Sequence, residues 1–271
     1  MNDCFINRRA FLATSSFALG ALVTASTRPV LAEPTAQAAV EAAKIPTVDT
    51  RMKFNLNGSK RPFRGNTVIC HLQPQGAVRD AVDAIREDLA QASFAAKVAL
   101  LPTVSYHMTV YPGANDQGRE LTGWPSFVPA KATIDECNRA IAERMQRFHL
   151  GCELPLRMKV DAAKTVTNLR ATTLRMISAS AGEEAKIRGI RDRLVDAFGF
   201  QDKSHDAYGF HITLAYQLAP FTGKEQLEHQ AVLERHVPRI EAAGPVFEFG
   251  NPEFCTFPDM FRFDIQILLA S

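Results

Sequence analysis

Two short segments of this chain place an imidazole two residues before a hydroxyl, in surroundings that suit a β-strand. One is Tyr106-His107-Met108-Thr109-Val110-Tyr111; the other is Tyr208-Gly209-Phe210-His211-Ile212-Thr213-Leu214-Ala215-Tyr216. Side chains alternate across a strand, so His107 shares a face with Thr109 and His211 shares one with Thr213, leaving Met108, Ile212 and Leu214 to pack a core. A single His-x-Thr is ordinarily a structural pair, because histidine is commonly part-buried. Two copies in matched contexts raise a chemical reading. Facing imidazoles can serve as base and acid, since an unperturbed pKa of about 6.5 lets one be neutral while the other is charged near neutral pH. Hydroxyls beside them can donate to oxygens on which negative charge builds. Such a set suits a hydrolysis that needs a base for the water, an acid for the leaving oxygen and donors for oxygens that gain charge. No metal or cofactor is required, and the sequence has no His-Glu-x-x-His, no Asp-rich metal cluster and no P-loop.

The elements that must position these residues are legible from periodicity and punctuation. Thr67-Val68-Ile69-Cys70-His71-Leu72 is an apolar run closed by Pro74 and Gly76, hence a strand. Val78, Val82, Ile85, Leu89 and Ala92 recur at helical spacing, and the strand carrying His107 follows. Pro112 to Lys131 is irregular and rich in Gly and Pro, a loop long enough to suggest function or mobility. Capping boxes at Thr133/Glu136, Ser180/Glu183 and Thr222/Glu225 open three helices. Leu154 to Val166 and Leu169 to Ser178 read as strands between the first two of these helices. The third helix must kink or end at Pro238, and Val246 to Phe249 and Phe254 to Leu269 close the chain as strands.

Both halves thus run strand, helix, His-x-Thr strand, helix, strand, an internal duplication of about 100 residues in which neither half has an obvious independent core. The expected fold is α+β: two lobes related by a pseudo-twofold axis, each an antiparallel sheet with helices on its outer face. The two His-x-Thr strands face a shared central cleft. Paired His-x-Thr strands about a hundred residues apart, each followed by an aromatic, resemble the two-histidine (2H) phosphoesterase superfamily. That superfamily includes RNA 2′-5′ ligase-like and 2′,3′-cyclic phosphodiesterase enzymes. The resemblance covers residues 61–271, and Pro62-Phe63-Arg64-Gly65-Asn66-Thr67-Val68 is similar to the opening segment of a bacterial branch of it. It implies catalytic roles for His107, Thr109, His211 and Thr213, with His107 the acid and His211 the base in hydrolysis.

Other candidates follow at lower weight. Tyr111 and Tyr216 could line the cleft, although Tyr216 has the opposite strand parity to His211 and Thr213, which leaves core packing open. Trp124 and Phe127 could stack on a base or anchor their own loop. Arg170 and Arg175 suit phosphate but fall on opposite faces of one strand, so one points inward; Arg175 is taken as the substrate-binding candidate. His71 ends a central strand and is held in reserve. His149, His205, His229 and His236 read as surface or packing residues.

The whole chain has 271 residues, 46% hydrophobic and 22% charged, an ordinary globular composition. Residues 1–32 read as a twin-arginine export signal: Asn7-Arg8-Arg9-Ala10-Phe11-Leu12, an apolar run to Val23, and Val30-Leu31-Ala32 before cleavage. Residues 33–60 read as an Ala-rich tether and an irregular arm before a domain at 61–271. The mature protein is therefore expected to be periplasmic or secreted, a monomer without a membrane anchor. Cleavage takes the formal charge from +2 to zero, which argues against binding long duplex nucleic acid and for a small nucleotide or short RNA end. Cys4 leaves with the signal. Cys70, Cys137, Cys152 and Cys255 match no zinc spacing, and no pairing is assigned. Two rival functions stay open: a non-catalytic nucleotide- or phosphate-binding module, and a His-based metal-binding protein. Retention of an acid, a base and two hydroxyls weighs against the first, and indifference to chelator would count against the second.

Overall fold

The structure, a computed structural model, describes residues 45–168 and 171–271. The segments read as an export signal (1–32) and a tether (33–44), and Arg170, lie outside the described residues. In chain order the elements are α1 (Val48–Lys53), β1 (Gly65–His71), α2 (Ala77–Gln91), β2 (Val98–Leu100), β3 (His107–Asn115) and α3 (Arg119–Thr122). Next come α4 (Ile134–Met145), β4 (Leu156–Val160), α5 (Ala162–Val166), β5 (Ala171–Ser178) and α6 (Ala181–Phe198). The chain closes with β6 (His211–Gln217), α7 (Gly223–Ala243), β7 (Phe247–Phe249), β8 (Glu253–Asp259) and β9 (Arg262–Leu268).

Every strand pairing is antiparallel, in the order β7-β4-β5-β6-β3-β1-β8-β9, with β2 added to β6. The order divides into two four-stranded lobes, β3-β1-β8-β9 and β6-β5-β4-β7, each with its His-x-Thr strand innermost. The lobes exchange strands: β4, which ends the first repeat, completes the second lobe, and β8 and β9, which end the second, complete the first. The two innermost strands pair through one residue couple, Met108 with Ile212, and beyond it β2 takes over the edge of β6. The sheet therefore splays at its centre. Met108 and Ile212 are fully buried on the helix-covered face, together with Val82, Ile85 and Leu89 of α2 and Ile187, Ile190 and Leu194 of α6. On that face α2 packs on α7 and α4 on α6, one helix of each pair coming from each repeat. The α+β fold with two pseudosymmetric lobes is the one expected from the duplicated pattern.

Local chemistry explains where elements start and stop, and where they depart from the pattern. Thr133 with Glu136 and Thr222 with Glu225 form reciprocal caps. Ser180 caps α6 in one direction only, because the Glu183 carboxylate instead accepts from the Arg157 backbone N–H and from Lys186. Leu154 to Val166 is not one strand: Asp161 accepts from the Lys164 backbone N–H at 3.1 Å and starts α5. Nor does the last helix end at Pro238; it runs on to Ala243. The face carrying Val232, Leu233, Val237 and Ile240 is buried, and His236 bonds Asp88 of α2 at 2.7 Å, so packing outweighs the lost backbone bond. Within the arm read as irregular, Thr47 caps α1 and Phe54 is buried with its ring 5.1 Å from that of Tyr216. Cys70, Cys137, Cys152 and Cys255 are free thiols, and burial pushes Cys137 up to about 11.

Candidate active site

The single couple between β3 and β6 fixes the geometry of the two motifs. Extending the register of Met108 with Ile212 by one residue each way sets His107 against Thr213 and Thr109 against His211. A local twofold axis thus passes between Met108 and Ile212, and the four motif side chains share the face opposite the core. All four line one cavity of about 200 Å³.

Each imidazole is oriented in the same way. His107 Nδ1 lies 2.7 Å from the Ser105 carbonyl and His211 Nδ1 lies 2.8 Å from the Gly209 carbonyl, in each case the residue two before it. A carbonyl only accepts, so Nδ1 carries the proton and Nε2 is left to exchange one with a substrate. Gly209 has a steric role as well: a Cβ there would come within 2.6 Å of Arg175 Nη2. Thr109 lies within hydrogen-bonding reach of the Tyr208 hydroxyl, and Thr213 within reach of that of Tyr216. Burial holds the Tyr208 phenol up at about 12, so it stays protonated.

A bulge at the same place in both motifs decides which aromatic reaches the cleft. On β3 the partners of Val68 and Ile69 are Tyr111 and Thr109, which leaves Val110 as an extra residue; on β6 those of Thr172 and Thr173 are Ala215 and Thr213, which leaves Leu214 extra. An extra residue reverses the alternation beyond it. Position five after the histidine, Pro112 or Tyr216, therefore faces the cavity, and position four, Tyr111 or Ala215, turns into the core. Strict alternation assigns Tyr111 to the cleft face and Tyr216 to the other; the bulges reverse both. Tyr111 is fully buried against Phe198, its hydroxyl donating to the Phe200 carbonyl at 2.5 Å. The carbonyls freed by the bulges are satisfied: Leu101 N–H donates to Leu214 at 3.0 Å and Arg191 Nη1 to Val110 at 2.6 Å. Arg191, fully buried, also lies under the Tyr208 ring at 4.2 Å, so one guanidinium braces the bulge and the tyrosine beside Thr109.

The other candidates separate. Trp124 lies outside the cavity lining, its indole N–H donating to the Pro129 carbonyl at 3.3 Å and its ring 3.7 Å from the Arg119 guanidinium; it anchors its own loop. Phe127 does the same against Arg144 and Gly199. Arg175 pairs with His211 in register and its guanidinium lies beside Gly209, at the border of the cavity rather than in its lining. His71 faces His107 in register at a ring separation of 6.1 Å and is hydrogen-bonded through Nδ1 to Glu253, behind the lining.

Several cavity residues escaped the sequence reading, Lys53, Phe257 and Phe263 among them. Lys53, at the end of α1, places its ammonium 5.1 Å from the Tyr216 ring centroid and 5.3 Å from that of Phe63. Phe263 of β9 stands edge-on to His107 at 4.3 Å, and Phe257 of β8 packs on Phe263. No local motif marks them, since each is brought in from a distant part of the chain.

The electrostatics differ from the simple expectation of one neutral and one charged imidazole. Burial pushes His107 down to about 3, with His71, His211 and Lys53 adding to the effect and the Ser105 carbonyl opposing it. His211 is also lowered, by burial first and then by Arg175 and Lys53, against the Gly209 carbonyl. Both shifts favour neutral rings in the unliganded protein near pH 7, and an anion beside them would favour the charged form. Among the described residues, no group of three or more His, Cys, Asp or Glu side chains is placed to hold a metal ion.

The model of a family described as 2H-phosphodiest, domain of unknown function (DUF1868), matches residues 53–169, the segment from Lys53 through the first motif. No curated protein matches the chain. Among solved structures, a conserved protein of unknown function from Agrobacterium tumefaciens is similar at 30% identity with a TM-score of 0.72, over 80% of this chain and 90% of that one. A phosphoesterase structure is similar at 12% identity and a TM-score of 0.42, over 78% of this chain and 100% of that one. Two equivalent His-x-Thr strands at one cleft, a first repeat that fits that family model and the 30% identity over most of the Agrobacterium tumefaciens protein have one common account: the chain belongs to the 2H-phosphodiest (DUF1868) family.

Proposed function

We propose that the protein hydrolyses a cyclic phosphodiester, a 2′,3′-cyclic nucleotide or a related small nucleotide or RNA end, without a metal. The observation that carries this reading is the matched orientation of the imidazoles, each with Nδ1 tied to the carbonyl two residues before it and Nε2 free. In-line attack on phosphorus puts the entering water and the leaving oxygen on opposite sides, and two diagonally placed Nε2 atoms suit that path. One takes a proton from water while the other gives one to the leaving oxygen; the family resemblance makes His211 the base and His107 the acid. Thr109 and Thr213 donate to the non-bridging oxygens as their charge grows. A cavity of about 200 Å³ favours a compact phosphoester end over a long duplex. We further propose that the chain acts as a monomer after twin-arginine export, in the periplasm or outside the cell.

The test is a panel of 2′,3′-cyclic mononucleotides, short 2′-5′ and 3′-5′ oligonucleotides and ADP-ribose cyclic phosphate, assayed with and without chelator. Turnover of a cyclic phosphodiester that chelator leaves unchanged is the expected result. Activity that disappears with chelator and returns with added metal would overturn the mechanism.

A further inference from the structure

The two motifs supply neutral imidazoles and neutral hydroxyls, yet the substrate they would process is an anion entering a partly dehydrated cleft. Transfer of an unpaired phosphate charge out of water is costly, so the site needs a fixed cation. Among the cavity-lining residues the permanent cation is Lys53.

Its setting is that of a held charge. The Lys53 side chain is only 14% exposed, and its ammonium sits near the faces of Phe63 and Tyr216. It donates to Asp49 at 2.7 Å and to the Tyr216 hydroxyl at 3.4 Å. An ammonium has three donors, so one remains for a ligand. Asp49, one turn earlier on α1, is 54% exposed at its side chain and keeps the lysine charged without enclosing it. Burial opposes that charge, and the combined pull of Tyr216 and Asp49 outweighs it, raising the lysine pKa. The same ammonium lines one cavity with both motifs, and its charge adds to the lowering of His107 and His211. Its helix is fixed by Phe54, buried against Tyr216.

We propose that Lys53 is the phosphate-binding cation of this site, donating to a non-bridging oxygen of the phosphoester held between His107 and His211. The proposal rests on the phosphoesterase reading and adds a residue from outside both repeats. Binding of the anion offsets the share of the depression that Lys53 adds to burial, and thereby couples substrate entry to charging of the acid.

Two measurements on the full chain test it. In wild-type protein with labelled lysine and histidine, titration with inorganic phosphate should shift the Lys53 ammonium resonance and raise the pKa of both imidazoles. Lys53→Met should weaken phosphate binding about tenfold or more, raise both imidazole pKa values in the free protein, and lower kcat/KM on the best panel substrate roughly ten- to a thousandfold. Lys53→Arg should recover part of each loss. An unmoved ammonium in the wild-type titration overturns the proposal even if the Met variant fails to fold. Wild-type phosphate affinity and kcat/KM in a folded Lys53→Met protein overturn it as well. If the wild type turns over nothing in the panel, the cyclic-phosphodiesterase reading fails while the phosphate titration still decides the role of Lys53.

Discussion

At the scale of residues, the proposed acid–base roles make the His107 and His211 imidazoles a unit, so their losses should not add. His107→Ala or His211→Ala should each cost on the order of 100- to 10,000-fold in turnover, and the double variant little more than either alone. Steady-state kinetics of the three folded variants on one substrate checks this; additive losses would show two independent groups. The pH dependence follows from the lowered imidazole pKa values. The productive free enzyme has one charged and one neutral ring, a form most populated between the two pKa values, both below the ordinary 6.5. The kcat/KM profile should therefore peak on the acid side of 6.5 and fall as pH rises through neutrality. Bound phosphoester favours the charged ring, so the kcat profile should peak at higher pH than that of kcat/KM. A kcat/KM still rising above pH 7 would contradict the neutral-pair assignment.

At the scale of elements, the paired bulges separate two tyrosines that look alike in the sequence. Tyr111→Phe should cost about 1 kcal/mol of stability, the bond to the Phe200 carbonyl, and leave turnover near normal. Tyr216→Phe should do the reverse, because its hydroxyl faces Lys53 and Thr213 in the cavity. Urea denaturation and turnover of both variants check the contrast. The four motif residues were legible because a strand periodicity of two and the duplication sufficed to put them on one face. The bulges were not, since an extra residue at Val110 or Leu214 has no signature of its own; it is set by pairing with β1 and β5. α1 was hidden for a similar reason: a six-residue helix is too short to be stable alone and exists because Phe54 is buried beside Tyr216. The helix likewise continues past Pro238 because its buried face, which no local signal reveals, holds it to α2.

At the scale of the whole molecule, buried neutral histidines make stability depend on pH in a definite direction. Burial holds His229 at about 4 and His107 at about 3, while in the unfolded chain each returns to about 6.5. Below 6.5 the unfolded state binds protons that the native state does not, so stability is full above that pH and is lost as pH falls. For His229, 2% exposed, the loss is about 1.4 kcal/mol per pH unit down to about pH 4. Urea midpoints at pH 7 and pH 5 should differ accordingly, and equal midpoints would refute it. The exchange of strands between the lobes also sets a schedule for the growing chain. His107 is synthesised early, but its aromatic wall, Phe257 and Phe263, arrives on β8 and β9 at the far end. Such distant pairings close late. In a polypeptide that lacks β8 and β9, His107 has no aromatic wall, so the cavity around the first motif is complete only when that hairpin docks.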